Sequence, residues 1–161
     1  MEVVNELVNL LQDSEKIVFL GVGSPLRADD SIGLYIVNEL EKQIKKNAKR
    51  ECFFYLGESA PENFSGMIRS QSPSHVVIID AAEMGREPGF FTLIAPEQIE
   101  GVSFSTHMLP LKILIDYLKK TIACQVIVVG VQPKLLEFGY PETPEVKNAA
   151  DRFISGICDK L

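Results

Sequence analysis

Short apolar runs alternate with amphipathic stretches along the chain, and this alternation restricts the fold more than any other feature. Runs that are apolar throughout are typical of strands buried on both faces of a parallel sheet. The stretches between them repeat apolar residues at helical spacing. We therefore predict an α/β fold: one three-layer sandwich domain, with helices on both faces of a mostly parallel, twisted sheet. The predicted strands are 16–21, 51–57, 75–82, 89–94 and 125–131.

The amphipathic stretches predict helices on the two faces of that sheet. Two of them are residues 2–13 and residues 61–69. Two more carry apolar stripes, one from Ile36 to Ile44 and one from Leu111 to Leu118, and the last follows Thr143 at the C-terminal end. Thr143 is a favourable N-cap and Pro144 suits the first helical position. Strand 89–94 is predicted at a sheet edge because prolines bracket it, and 103–107 is predicted to be a loop.

Length, charge and cysteine content exclude several classes of protein. A chain of 161 residues suits one domain, and a net charge of −6 without a basic stripe argues against nucleic acid as a partner. The N-terminus has no secretory pattern and no apolar run could cross a bilayer, so we expect a cytoplasmic protein without membrane contact. Cys52, Cys124 and Cys158 form no CxxC pair, which predicts buried or half-buried thiols in a reducing compartment.

Polar residues follow the predicted strands at the points where functional groups gather in open α/β sheets. These positions are 21–30, Glu58-Ser59, Asp80 and Gln132-Pro133, and His107 lies in a loop just before a helix. The carboxylates of Asp30 and Asp80 with the imidazole of His107 would form a metal site with open positions for water or substrate.

Each of these residues also has an ordinary structural interpretation. Asp29 or Asp30 could be a helix N-cap, Asp80 could close an Asx turn, and His107 could cap the following helix. His75 begins a strand at the opposite edge and is interpreted as structural.

Two other chemistries fit the residues less well. Gly21-Val22-Gly23 could begin a dinucleotide fingerprint, but Leu26 occupies the place of the third glycine and two carboxylates would repel a pyrophosphate. Ser24 and Ser59 lie near the same edge, but neither has a histidine and an acid in a recognisable order, and Gly-x-Ser-x-Gly is absent.

Four motifs in order resemble those of the hydrogenase maturation proteases. They are GVGSPLRADDSIG at 21–33, VVIIDAAEMGREPG at 76–89, STHMLPL at 105–111 and VGVQP at 129–133. Ser24 and Ser31 depart from the usual Asn and from the usual Gly or Ala. The resemblance covers about residues 17–133 and implies a single domain of this type over 1–161, with 1–14 as an extra N-terminal helix.

The resemblance implies an endopeptidase that removes the C-terminal extension of a nickel–iron hydrogenase large-subunit precursor after nickel insertion. The metal-binding and catalytic triad of the family falls on Asp30, Asp80 and His107, which leaves Asp29 to shape or cap the loop. The expected cofactor is nickel supplied by the substrate, with zinc or cadmium able to replace it, and no organic cofactor. The expected partner is the precursor, and we expect a monomer.

Two alternatives stay open. One is a non-catalytic, nickel-sensing maturation chaperone that binds the precursor without cutting it. The other, less favoured, is a nucleotide-binding α/β domain.

Overall fold

Six strands and five helices form in the computed structural model, which describes residues 1–44, 50–104 and 108–161. The strands are β1 (Lys16–Val22), β2 (Glu51–Glu58), β3 (His75–Glu83), β4 (Phe91–Ile94), β5 (Ser103–Phe104) and β6 (Gln125–Val131). The helices are α1 (Glu2–Leu10), α2 (Ile32–Gln43), α3 (Ser65–Gln71), α4 (Met108–Thr121) and α5 (Pro144–Cys158). Short 3₁₀ turns at Ala28–Ser31, Pro61–Phe64 and Pro96–Gly101 connect some of them.

The main sheet has the strand order β2-β1-β3-β6-β4, in which the first four strands are parallel. The last strand, β4, runs antiparallel to β6 at the edge, as its flanking prolines predicted. β5 pairs antiparallel with the end of β3, where Phe104 lies opposite Ala82. The expectation of a loop at 103–107 is therefore wrong for its first two residues, because β3 extends far enough to pair with them; 105–107 lie outside the described residues.

Alternate residues of each buried strand enter two separate apolar cores, one on each face of the sheet. In β1, Ile17 and Phe19 pack on one side and Val18 and Leu20 on the other. The first core is completed by α1, α2 and α5, and the second by α3 and α4. The predicted mostly parallel sheet with helices on both faces is thus confirmed.

The terminal helices close the first core. α1 is shorter than the predicted 2–13, but its side chains Val3, Val4 and Leu7 are buried where it packs against α5 and β4. α5 begins at Pro144 with Thr143 as its N-cap residue, as predicted, although the Thr143 hydroxyl makes no capping bond. Among the described helices, none is both long and apolar enough to cross a membrane.

Candidate functional site

The parallel strands end together at one edge of the sheet, where Asp30 and Asp80 are fully buried, as is Asp29 beside Asp30. Asp80 lies opposite Gly130 of β6, one residue beyond the level at which Ile79 pairs with Gly21 of β1. The predicted strand 75–82 already includes Asp80, and the interpretation that Asp80 closes an Asx turn is wrong. β3 continues to Glu83 because β6 and β5 both pair with its last residues, so Asp80 closes no turn.

Asp30 reaches the same edge on the 3₁₀ turn Ala28–Ser31, which packs against β3. Its Oδ2 accepts a hydrogen bond from the backbone N–H of Ser24 at 3.2 Å and lies 3.4 Å from Nη1 of Arg27. The structure therefore brings Asp30 and Asp80 to one edge of the sheet, as the strand ends predicted. His107 lies outside the described residues, between β5, which pairs with β3, and the start of α4 at Met108.

Two glycines allow this turn to lie close to the sheet. Gly23 has φ +141°, and a Cβ there would lie 1.8 Å from the carbonyl oxygen of Asp30. A Cβ on Gly33, in the first turn of α2, would lie 2.2 Å from the carbonyl oxygen of Ile79 and 2.6 Å from that of Val22. Since any side chain at either position would push the Asp30 turn away, the glycines serve close backbone packing. The Ser24 N–H, a donor that a phosphate would need, is already bonded to Asp30.

Asp29 does not cap a helix; instead it holds a segment more than a hundred residues away. Its carboxylate accepts the backbone N–H groups of Lys134, Leu135 and Thr143 at 2.8, 3.0 and 2.6 Å. The Thr143 hydroxyl lies 2.9–3.0 Å from both carboxylate oxygens. The N-cap interpretation is wrong for Asp29 and Asp30 alike, because Ser31 is the N-cap residue of α2 and no side chain makes the capping bond.

The segment held by Asp29, residues 134–143, lies beside residues 24–31, which we call the Asp30 loop, and it exposes large apolar side chains. Backbone hydrogen bonds join Ala28 to Tyr140 and Gly139 to Leu26. Leu26 and Phe138 are each 67% exposed and Tyr140 is 56% exposed. We call these three residues the apolar rim. Because two backbone hydrogen bonds and the buried Asp29 carboxylate tie this segment to the turn that carries Asp30, the apolar rim lies next to Asp30.

Arg27 connects the apolar rim to Asp30. Its Nε donates to the carbonyl oxygen of Leu136 at 3.2 Å, and its guanidinium carbon lies 5.3 Å from the centre of the Phe138 ring. The ion pair with Asp30 joins a half-buried guanidinium to a buried carboxylate, with side-chain exposures of 29% and 1%. No role for Arg27 was predicted from the sequence, where its one signal is a spacing of three residues from Asp30.

Gln132 braces the loop that follows β3. Its Oε1 accepts the backbone N–H groups of Met84 and Arg86 at 2.8 and 3.2 Å, and its Nε2 donates to Glu83 at 2.9 Å. The side chain is buried. The sequence marked this position as a strand end, and the structure gives it a supporting rather than a chemical role.

The two departures from the family pattern are accommodated locally. The backbone of Ser24 holds Asp30, as described above. The Ser31 hydroxyl lies 2.8 Å from the carbonyl oxygen of Ala28 and 2.8 Å from Oε1 of Glu142, so it adds a contact to the segment held by Asp29.

The described thiols and His75 contribute no nucleophile. Burial raises the pKa of the Cys52 thiol to about 11 and also raises the pKa values of Cys124 and Cys158. All three are half-buried free cysteines, as predicted, and are protonated at neutral pH. Burial lowers the pKa of His75, which begins β3 at the edge opposite Asp80.

Within 1–44, 50–104 and 108–161, no group of three or more His, Cys, Asp or Glu side chains could hold a metal ion. A metal site that used Asp30 and Asp80 would therefore need a further ligand from outside these residues. His107, the remaining member of the triad implied by the resemblance, lies in the part of the chain that the structure leaves out.

Comparisons with known proteins agree on one family. The HycI model, described as hydrogenase maturation protease, matches residues 34–160. The chain is 32% identical over 157 residues to a putative hydrogenase maturation protease of Methanocaldococcus jannaschii, covering 95% of this chain and 92% of the relative. It is 37% identical over 135 residues to the hydrogenase 3 maturation protease of Escherichia coli K12, covering 83% of each.

The fold is also similar to solved structures of that name. The crystal structure of a NiFe hydrogenase maturation protease, HycI, from Thermococcus kodakarensis KOD1 superposes with a TM-score of 0.86 at 28% identity. The superposition covers 97% of this chain and 98% of the other.

Proposed function

Because this chain belongs to the hydrogenase maturation protease family, we propose that it is an endopeptidase that removes the C-terminal extension of a nickel–iron hydrogenase large-subunit precursor after nickel insertion. The observation that carries the proposal is the pair of fully buried carboxylates, Asp30 and Asp80, at the carboxyl edge of the parallel sheet. Buried carboxylates are tolerated where cations or hydrogen-bond donors compensate them, as Arg27 and the Ser24 N–H do for Asp30, so this edge is suited to hold positive charge.

In the proposed mechanism the metal belongs to the substrate. Nickel fixed in the precursor would be recognised by Asp30 and Asp80, with His107 as the third ligand. A divalent ion held in this way can polarise the scissile carbonyl or lower the pKa of a bound water. Imidazole and carboxylate ligands suit nickel but also zinc, so the ligand set alone does not select the ion.

The chain's own residues would do the positioning. The Ser24 N–H orients Oδ2 of Asp30, and Gly23 and Gly33 let the turn approach β3. β6 and β5 hold the strand segment that carries Asp80. Since catalytic geometry must be held closely, supports of this kind contribute to activity alongside the ligands.

The apolar rim supports a protein substrate rather than a small one. Large exposed apolar side chains that lie near one another mark interaction surfaces, and this surface adjoins Asp30 through Arg27. A precursor docked on Leu26, Phe138 and Tyr140 would have part of its surface next to the buried carboxylates.

The test is cleavage of nickel-loaded precursor by variants of the triad. Asp30→Asn, Asp80→Asn and His107→Ala should each reduce the rate by more than about 100-fold, since even residues behind metal ligands contribute 10–100-fold. The matched control is Asp116→Asn, which removes the same charge from an exposed position of α4. Mass spectrometry of the precursor reports removal of the extension, and circular dichroism checks folding.

Three folded triad variants that cleave at the rate of the Asp116→Asn control would show that the triad is wrong. If the wild-type protein binds the precursor and never shortens it, the non-catalytic chaperone is the correct function. Precursor without nickel should stay uncut, which separates a nickel-reading enzyme from an ordinary peptidase.

A further inference from the structure

Arg27 places a permanent positive charge against a carboxylate that is proposed to bind a metal ion. Its Nη1 lies 3.4 Å from Oδ2 of Asp30, the oxygen that also accepts the Ser24 N–H. Guanidinium groups keep their charge at every physiological pH. A divalent ion approaching Asp30 therefore meets a cation that is already there, and the two repel one another.

The guanidinium is anchored on its other side by the surface that the precursor is proposed to contact. Nε is bonded to the carbonyl oxygen of Leu136, and the Phe138 ring lies beneath the guanidinium carbon at 5.3 Å. Phe138 is 67% exposed, so a protein docking on the apolar rim touches a direct neighbour of Arg27. The side chain thus spans from the proposed docking surface to the proposed ligand.

From this geometry we propose that Arg27 is a positioning residue that weakens the binding of free divalent ions in the enzyme without its substrate. The triad then engages a metal ion when the precursor presents it and docks beside Arg27. The inference rests on the proposed function, and it adds a reason why free metal would not occupy the site first.

The size of the effect follows from the contact. The contact between the half-buried Arg27 guanidinium and Asp30, at 3.4 Å, is at the weak end of hydrogen bonds between charged groups. An interaction of that strength corresponds to about a tenfold change in the dissociation constant of a metal ion that competes for the same carboxylate. Removing the charge should therefore tighten the binding of a free divalent ion to Asp30 by about tenfold.

The experiment measures the dissociation constant of NiCl₂ for the precursor-free enzyme, by competition with a coloured chelator. Arg27→Gln should bind Ni²⁺ about tenfold more tightly than wild type, while Arg27→Lys, which keeps the charge, should stay within about threefold. Lys134→Gln is the matched control, because it removes the same charge from a side chain that pairs with Glu145 and not with Asp30. Its dissociation constant should change by less than about twofold.

A second background tests whether the effect acts through Asp30. In Asp30→Asn protein, the Arg27→Gln substitution should no longer tighten Ni²⁺ binding, because the carboxylate shared by the two cations is gone. The inference is overturned if Arg27→Gln matches wild type or Lys134→Gln, if Arg27→Lys tightens binding as much as Arg27→Gln, or if the effect persists without the Asp30 carboxylate.

Failure of the inference and failure of the proposed function give different results. If Asp30→Asn and Asp80→Asn both leave the Ni²⁺ dissociation constant unchanged, the triad is wrong and the inference falls with it. If both weaken Ni²⁺ binding while Arg27→Gln does not tighten it, the triad stands and the inference alone is refuted.

Discussion

Replacing Asp29 by Asn tests the junction between the Asp30 loop and the segment that carries the apolar rim. Among the described residues, the hydrogen-bond partners of this buried carboxylate are all donors: three backbone N–H groups and the Thr143 hydroxyl. Asparagine has nearly the same shape but offers one acceptor oxygen and one amino group. Whichever way the amide is turned, its amino group faces at least one backbone N–H.

The least costly orientation keeps the oxygen toward Lys134 and Leu135 and leaves the Thr143 N–H without an acceptor. A buried donor without a partner costs about 1–3 kcal/mol, and the two remaining bonds lose their charge assistance, about 0.5–1 kcal/mol each. Part of this loss of stability is offset, because the neutral amide avoids the free-energy cost of burying a charge. The free energy of unfolding should fall by about 2–4 kcal/mol, which lowers Tm by about 5–15 °C for a chain of this size.

The assay is urea unfolding followed by far-UV circular dichroism, since the chain has no tryptophan. Hydrogen exchange should also accelerate at the amides of Lys134, Leu135 and Thr143. The control is Asp151→Asn at an exposed position. Among the bonds described, the Asp151 carboxylate accepts only the Tyr35 hydroxyl, at 2.7 Å, and the oxygen of an asparagine side chain can accept the same hydrogen bond. That variant should lie within about 0.5 kcal/mol of wild type. Equal stability of the two variants would refute the reasoning.

Two further predictions concern the backbone packing and the pH dependence of stability. Gly33→Ala should lower the free energy of unfolding by about 3 kcal/mol or more, because its Cβ would overlap two backbone carbonyls. Gly66→Ala, with open space around the new Cβ, should raise the free energy of unfolding by about 0.5–1 kcal/mol. Urea unfolding measures both, and similar results for the two variants would contradict the close packing at Gly33. Burial lowers the pKa of His75 from 6.5, so the unfolded chain binds a proton that the folded chain does not, and stability should fall as pH drops below 6.5. His75→Gln should flatten this part of the stability–pH curve, and an unchanged curve would show that His75 is not its source.

Much of the fold is predictable from the sequence because it depends on local periodicity. Continuous apolar runs indicate strands covered on both faces, and the two cores of the structure are built in that way. The limits of the elements were less predictable. α1 ends at Leu10 rather than at residue 13, and β5 forms inside the predicted loop 103–107 because the end of β3 gives it a strand to pair with.

The sequence by itself determined that Asp30 and Asp80 share one edge, because parallel strands direct their carboxyl ends the same way and each residue lies near such an end. Only the tertiary structure decided what surrounds them. The partners of Asp29 are 105–114 residues away, and Arg27 bonds to Leu136 across 109 residues. Contacts of this kind depend on how distant segments meet in space, and no local pattern of residues records that meeting.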